Sequence, residues 1–230
     1  ARRYRLREHA TLRPLALIGG PSVLRSPGPR VYNALFAQFG LPYQYLAYSA
    51  DSFEQALALG ERLGVFGYSV TQPFKRDAWR FVADQAEELA AGPYLDDWAR
   101  ETEAVNSLWR AAPSAPWRGR NTDAPALLDV LGGPGAVAAR SALVLGAGAT
   151  AMSAAVALRR AGARVTLAAR RPESFPARSS GAPVPWALRA AQEHEILVNT
   201  TPLVDDSLWP PEAPLATQAF ADLAFPAQGT

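Results

Sequence analysis

A glycine-rich turn between a buried strand and an uncharged helix is the feature that most restricts how this chain can fold. The segment runs Leu143-Val144-Leu145-Gly146-Ala147-Gly148-Ala149-Thr150-Ala151, a Gly-x-Gly-x-x-Ala pattern. The first glycine permits a tight turn, the second lets the backbone approach a pyrophosphate, and the small third residue lets the helix pack on the strand. A phosphate would then lie at the helix N-terminus. We therefore predict a dinucleotide site at Gly146, Gly148, Ala149 and Ala151, against the alternative of a purely structural glycine turn.

Apolar runs of strand length alternate with segments of helical period along the chain, which predicts an α/β fold with a largely parallel sheet. The expected strands are 14–19, 43–48, 65–71, 105–109, 142–145, 164–169 and 196–199. The expected helices are 29–39, 52–63, 73–89, 123–131 and 149–161. The sequence Gly132-Gly133-Pro134-Gly135 breaks the chain before the second series of strands. We place an N-terminal α/β domain at residues 1–122, a Rossmann-type dinucleotide-binding domain at 123–230, and a mobile loop at 174–185.

The end of the strand after the glycine turn indicates which dinucleotide is bound. An NAD site usually has a carboxylate there for the ribose hydroxyl, whereas a 2′-phosphate requires cations. This chain has Ala168-Ala169-Arg170-Arg171-Pro172, and no acid precedes Glu173. Guanidinium groups suit a phosphate, so the sequence favours NADP over NAD. An arginine pair in a solvated turn is the alternative.

Composition excludes several other classes of function. The formal net charge is only +2, which gives little support to nucleic-acid binding. The chain has no cysteine, and its two histidines, His9 and His194, have no metal-ligand spacing, so we expect no metal site. Residues 141–158 carry no charge, but the glycines within them favour a strand, a turn and a buried helix over a membrane span. We expect a cytoplasmic protein that does not bind membranes.

Lys75 is the only lysine among 23 Lys and Arg residues. Arginine is effectively always protonated, whereas a lysine can lose its proton when it is buried or crowded. Lys75 is therefore a candidate for acid–base catalysis. The alternative is a surface lysine left by chance in an arginine-rich composition.

Several ordered motifs resemble those of the shikimate dehydrogenase family, over nearly the whole chain. The matching segments are Gly20 to Asn33 with its Ser-Pro core, Ser69-Val70-Thr71-Gln72-Pro73-Phe74-Lys75, Ala104-Val105-Asn106-Ser107, Gly119-Arg120-Asn121-Thr122-Asp123, the glycine turn with Ala169-Arg170-Arg171, and Val198-Asn199-Thr200-Thr201-Pro202-Leu203. The resemblance implies a substrate-binding N-terminal domain and an NADP-binding C-terminal domain. It also implies that shikimate and 3-dehydroshikimate are interconverted by hydride transfer, in aromatic amino-acid biosynthesis.

The resemblance also assigns roles to individual residues. Lys75 and Asp123 would form the catalytic pair, with Asn106 beside them. The substrate would contact the positions of Ser26, Gly28, Thr71, Asn106 and Phe225. The cofactor would contact Gly146, Gly148, Ala149, Ala151, Ala169, Arg170, Arg171, Thr200 and Thr201. Whether Lys75 acts as a base or as a charged polarising group stays open.

Some of these positions depart from the family pattern. Gly28 stands where a second carboxylate-binding serine is expected, and Phe225 where a tyrosine is expected, so two hydroxyl groups are absent. Arg25 is a candidate to compensate for the lost serine. Ala169 and Arg171 replace Asn and Thr at the 2′-phosphate. The family pattern continues beyond Thr230 with a Gly-Leu-Gly-Met-Leu turn and a helix, and whether the natural chain also continues stays open.

Other interpretations of the same residues stay open at this point. The chain could be a related enzyme acting on quinate or a similar hydroxy-acid ring, or a dinucleotide-binding protein without catalytic activity. Asp123 and Thr71 each precede a helical segment and could be helix N-caps, and Asn106 could satisfy backbone groups at a strand end. The sequence does not indicate an oligomeric state.

Overall fold

The structure is a computed structural model that describes residues 12–89, 94–175, 181–203, 207–210, 213 and 217–223. These residues form two compact units. One comprises the residues up to Ala99 together with Glu103–Arg120, and the other comprises Arg100–Thr102 and the residues from Asn121 onward. Phe225 lies outside the described residues.

The first unit is built on a five-stranded mixed sheet. Its strands are β1 (Arg13–Gly19), β2 (Tyr43–Ser49), β3 (Gly67–Val70), β4 (Ser107–Trp109) and β5 (Arg118–Arg120), in the order β2-β1-β3-β4-β5. The pairings among β2, β1 and β3 are parallel, and those that add β4 and β5 are antiparallel. The expectation of a largely parallel sheet is therefore only partly right for this unit. Strand β5 was not predicted, because its three residues, Arg-Gly-Arg, contain no apolar run and are too short to give a periodic signal.

The first unit has four described α-helices, and all but the first contribute buried residues to its core. They are α1 (Gly28–Gln38), α2 (Phe53–Arg62), α3 (Lys75–Leu89) and α4 (Asp97–Thr102), whose last three residues belong to the second unit. Ser52 caps α2 by accepting a hydrogen bond from the Gln55 N–H. Ile18, Phe53, Phe74 and Val82 lie in the buried core. The predicted helix 73–89 begins two residues late because Pro73 lies in the turn that precedes α3.

The second unit has a five-stranded sheet in which every pairing is parallel. Its strands are β6 (Ser141–Leu145), β7 (Arg164–Ala169), β8 (Ala182–Pro185), β9 (Ile196–Asn199) and β10 (Ala219–Asp222), in the order β10-β9-β6-β7-β8. Its helices are α5 (Asp123–Val130), α6 (Pro134–Val137) and α7 (Ala149–Arg160). The prediction of a loop over 174–185 is wrong for 182–185, which add a strand beside β7. Residues 176–180 lie outside the described residues.

Helix α7 is buried over eight successive residues, from Ala151 to Leu158. Five of these are alanine or serine, and such small side chains let a helix lie close to a sheet. The uncharged stretch 141–158 is therefore a strand, a turn and a buried helix, as predicted. Among the described helices, none has the length and hydropathy that a membrane span requires.

Candidate functional site

The carboxyl ends of β1 and β3 lie at one edge of the first sheet, where parallel α/β sheets usually bind ligands. The Val70 N–H at the end of β3 donates to the Asn106 carbonyl oxygen at 2.8 Å, and the Asn106 N–H donates to the Arg120 carbonyl oxygen at 3.0 Å. The Val105 N–H donates to the Lys75 carbonyl oxygen at 2.9 Å. These bonds hold Lys75 and Asn106 next to the carboxyl end of β3. The backbone groups of Asn106 are thus paired at the strand ends, and the role of its side chain stays a prediction.

Lys75 is the first residue of α3, and only 8% of it is exposed. Lysine is seldom buried to this degree unless its ammonium group has a specific role or partner. The alternative of a surface lysine left by chance is therefore wrong.

The segment between β3 and α3 packs closely on the end of β1. The Thr71 N–H donates to the Ile18 carbonyl oxygen at 2.9 Å, and the Gly20 N–H donates to the Gln72 carbonyl oxygen at 2.9 Å. A Cβ on Gly19 would lie 2.6 Å from the Thr71 Cγ2 and 2.8 Å from the Gln72 carbonyl oxygen. Only glycine allows this approach. The methyl group of Thr71 therefore points toward Gly19, which orients its hydroxyl group.

Ser26 lies in the loop before α1, where its hydroxyl accepts a hydrogen bond from the Gly28 N–H at 3.1 Å. A Cβ on Gly28 would lie 3.2 Å from the Ser26 Oγ and 3.5 Å from the Tyr45 Cε1. The Tyr45 hydroxyl donates to the Ser69 Oγ at 2.6 Å. Burial raises the pKa of Tyr45, so this phenol stays a neutral donor. Tyr45 is thus a polar group beside Ser26 and Gly28 that sequence reasoning missed, because an aromatic residue in a strand normally indicates core.

In the second unit the glycine turn has the backbone that its sequence predicts. Gly146 has φ of +122°, a region that favours glycine, and a Cβ there would overlap the Thr200 hydroxyl. The Thr200 hydroxyl and N–H both donate to the Leu145 carbonyl oxygen, at 2.6 and 2.9 Å. The Thr201 hydroxyl donates to the Asn199 Oδ1 at 2.7 Å. Thr200 therefore supports the glycine turn from the neighbouring strand.

The turn is shaped to accept an anionic group. Gly148 is the N-cap of α7, with no side-chain cap, and no atom would lie within 4 Å of a Cβ built on it. Ala149 follows it, half-buried, and Ala151 is fully buried against the sheet. The space above Gly148 and the positive end of the α7 dipole together fit a pyrophosphate.

The cations expected for a 2′-phosphate lie at the same sheet edge. The Gly146 N–H donates to the Ala168 carbonyl oxygen at 2.9 Å, so the glycine turn and the end of β7 are neighbours. Ala169 is buried, whereas Arg170 and Arg171 are exposed directly after it. These residues fit NADP, and the described residues contain no cluster of acidic or histidine side chains that could hold a metal.

Asp123 is the first residue of α5 and is half-buried. The Asn121 Oδ1 accepts hydrogen bonds from the Asp123 N–H at 3.1 Å and the Ala124 N–H at 3.2 Å. Thr122, at the N-cap position of α5, makes no side-chain cap, and Asn121 just before it supplies the side-chain cap that the sequence allowed for Asp123. Asparagine ahead of a helix is a favoured cap, and this signal could have identified Asn121.

Three comparisons relate the chain to known proteins. Residues 17–108 match the model of the shikimate dehydrogenase substrate binding domain. "Shikimate dehydrogenase (NADP(+))" of Anaeromyxobacter sp. (strain Fw109-5) is 36% identical, over 91% of this chain and 77% of that protein. The enzyme of the same name from Syntrophobacter fumaroxidans is 39% identical, over 67% of this chain and 50% of that protein. Across these two alignments, the chain thus spans from half to about three quarters of its relatives' length.

Solved structures agree with these relatives. Shikimate 5-dehydrogenase from Thermus thermophilus, in complex with NADP(H) and shikimate, has a TM-score of 0.70 and 27% identity, over 93% of this chain and 79% of that one. Shikimate dehydrogenase from Aquifex aeolicus has a TM-score of 0.67 and 29% identity, over 84% of this chain and 70% of that one. On the sequence identity and coverage of its relatives, this chain belongs to the shikimate dehydrogenase family.

Proposed function

We propose that this chain is an NADP-dependent shikimate dehydrogenase that interconverts shikimate and 3-dehydroshikimate, as a cytoplasmic enzyme of aromatic amino-acid biosynthesis. The names of its relatives support the reaction, and the Thermus structure with NADP(H) and shikimate supports the ligands. The observation that carries the proposal on this chain is Lys75, its only lysine, which is buried near the carboxyl ends of the parallel strands β1 and β3 of the mixed first sheet. A buried amine at such a position is suited to proton transfer.

Each proposed domain has one task. Residues 1–122 would bind the substrate, with Ser26, Thr71 and Asn106 as polar contacts. Residues 123–230 would bind NADP through the glycine turn and the Arg170–Arg171 pair. The position of Phe225 is proposed as a further substrate contact from the family resemblance alone.

Oxidation of shikimate breaks the C–H and O–H bonds of one secondary alcohol and forms a carbonyl group. When bound, NADP⁺ supplies the acceptor for the hydride. The proton must leave the oxygen in the same reaction, and we assign its transfer to Lys75 and Asp123. The reverse reaction requires the same two residues to return that proton to the carbonyl oxygen.

Gly28 makes quinate a second candidate substrate. A missing hydroxyl donor to a charged group typically costs about 1.5 to 3 kcal/mol, so the carboxylate of shikimate would be held less tightly than in a protein with serine there. A ring acid with an additional hydroxyl group could recover part of that loss.

The test is a steady-state assay with NADP⁺ and either shikimate or quinate, followed by the absorbance of reduced nicotinamide. Lys75→Met should lower kcat by about 10² to 10⁴-fold, because it removes a proton-transfer group. Arg80→Met replaces an exposed cation on the same helix and should leave kcat unchanged. Turnover that survives Lys75→Met would exclude the assigned mechanism. NADP⁺ binding without turnover of either acid would favour a dinucleotide-binding protein without catalytic activity.

A further inference from the structure

Asn121 is fully buried, and its side-chain amide makes hydrogen bonds in two directions. Its Oδ1 accepts from the N–H groups of Asp123 and Ala124, which open α5. Its Nδ2 donates to the Thr102 Oγ1 at 2.9 Å and to the Ser153 Oγ at 2.7 Å. Backbone N–H groups can only donate, so the amide has one orientation that satisfies both sides.

The hydrogen bonds continue from Ser153 into the first turn of α7. The Ser153 Oγ donates to the carbonyl oxygen of Ala149, the residue that follows Gly148 in the glycine turn. Thr102 and Ser153 are 2% and 1% exposed, so solvent does not compete for these bonds. Buried polar networks of this kind restrict the groups that they join to one arrangement. The backbone of Asp123 is thereby connected to the N-terminus of α7 through two side chains.

We propose that Asn121 is a positioning residue, which holds Asp123 at a fixed place relative to the nucleotide-binding turn. The inference rests on the proposed function, in which Asp123 transfers a proton and α7 binds the pyrophosphate. NADP⁺ bound at the α7 N-terminus then restrains Ala149, which is hydrogen-bonded to Ser153. Ser153 in turn restrains Asn121, and Asn121 restrains the first turn of α5. Cofactor binding and the placement of the catalytic carboxylate are coupled by this route.

Two variants interrupt the route at different points. Ser153→Ala removes the acceptor on α7, leaves the cap on α5 intact and introduces a residue that favours helix. Asn121→Asp keeps an oxygen for the cap but removes both donors of the amide. Ser141→Ala is the matched control, because it removes hydrogen bonds to Glu195 at the opposite end of β6 in the same unit.

The first measurement is amide hydrogen exchange at Asp123 and Ala124, with and without NADP⁺. In the wild-type chain, NADP⁺ should slow this exchange by about 5-fold or more, the lower range of measured coupling between sites. The slowing should be lost in Ser153→Ala and Asn121→Asp and retained in Ser141→Ala. Thermal unfolding of each variant identifies any that does not fold, and the other variant then decides. The inference is wrong if NADP⁺ binds but does not slow exchange in the wild-type chain. It is also wrong if NADP⁺ slows exchange in Ser153→Ala and Asn121→Asp as much as in the wild-type chain.

The second measurement separates kcat from KM. A misplaced catalytic group lowers kcat by up to about 10²-fold, while substrate contacts in the first unit are unaffected. Ser153→Ala should therefore lower kcat with little change in the KM for shikimate, whereas Ser141→Ala should change neither. Equal kcat values in the two variants would overturn the positioning role. A wild-type chain that turns over no substrate, but shows the exchange coupling and its loss in Ser153→Ala, would refute the proposed reaction and leave the connection through Asn121 supported.

Discussion

Gly146 and Thr200 lie in direct contact across neighbouring strands, and a Cβ on the glycine would overlap the threonine hydroxyl. That hydroxyl is itself held by the Leu145 carbonyl oxygen at 2.6 Å and is not free to move aside. Gly148, two residues later, has a negative φ of −81° and open space around it. The two glycines of the motif are therefore predicted to serve different purposes: Gly146 is required by the fold, and Gly148 leaves space for the proposed cofactor.

Gly146→Ala should destabilise the protein by about 1 to 3 kcal/mol, because it combines a positive φ with a steric overlap. Gly148→Ala should leave the free energy of unfolding nearly unchanged. It should instead weaken NADP⁺ binding by about tenfold or more, since its methyl group fills the space that the pyrophosphate needs. Denaturant unfolding and nucleotide titration measure the two effects. Equal loss of stability in both variants would contradict this division.

Replacement of both Arg170 and Arg171 by alanine should lower the preference for NADP⁺ over NAD⁺ by about 10- to 100-fold. Hydrogen bonds to a charged phosphate contribute about 1.5 to 3 kcal/mol, so their loss weakens the binding of NADP⁺. The binding of NAD⁺ is not weakened in this way, because NAD⁺ has no 2′-phosphate. The measurement is the ratio of kcat/KM values for the two cofactors. Arg164→Ala, an exposed arginine at the opposite end of β7, is the control and should leave the ratio unchanged. An unchanged ratio in the double variant would favour the alternative of a solvated turn.

Thr71→Val should raise the KM for shikimate by about 2- to 10-fold, the effect of one neutral hydrogen bond. Valine keeps the methyl group that packs toward Gly19 and removes only the hydroxyl. Thr71→Ser does the reverse, so it should keep the KM and lose a little stability. A KM that follows the methyl group instead of the hydroxyl would show that Thr71 has only a packing role. Steady-state kinetics and thermal unfolding distinguish the two cases.

Glu195 should make stability depend on pH in the acidic range. Its carboxylate accepts a hydrogen bond from the Ser141 N–H at 3.0 Å, which lowers its pKa from the usual 4.5. A lowered carboxyl pKa stabilises the fold fully above the unfolded-state pKa, and that contribution is lost as pH falls through the folded-state pKa. Glu195→Gln should be less stable than wild type at neutral pH, with the difference shrinking below about pH 4.5. Melting temperatures across this range test it, with the exposed Glu193→Gln as control. A difference that stays constant with pH would refute it.

Strongly periodic or apolar segments were predictable, and short or context-dependent ones were not. The glycine turn gave β6 and α7 correctly because a buried strand and a small-residue helix leave a distinct pattern. Strand β8, within a segment expected to be a loop, has two prolines among its four residues. It forms because it lies at the edge of the sheet beside β7, where proline is tolerated. That position is known only once the strand order is known.

The candidate site shows the same division. Lys75 is a catalytic candidate from its rarity and its motif, but neither of these predicts that its side chain is buried. Tyr45 and Asn121 were not assigned roles, although the sequence contained both. Tyr45 reaches Ser69 from another strand, and Asn121 reaches Ser153 across 32 residues. Contacts between distant segments have no local signal, so single-sequence reasoning does not find them.

The sequence by itself determined that this is an α/β protein, that it has a glycine turn typical of dinucleotide sites, and that its motifs follow the order of one family. These features are readable because local backbone requirements restrict which residue types can occupy a position. Tertiary structure decided that the first sheet is mixed, that Lys75 is buried, and that Asn121 rather than Asp123 caps α5. Burial and hydrogen-bond partners depend on which segments meet in space. The free energy of a buried polar group is set by those partners and not by its neighbours in the chain.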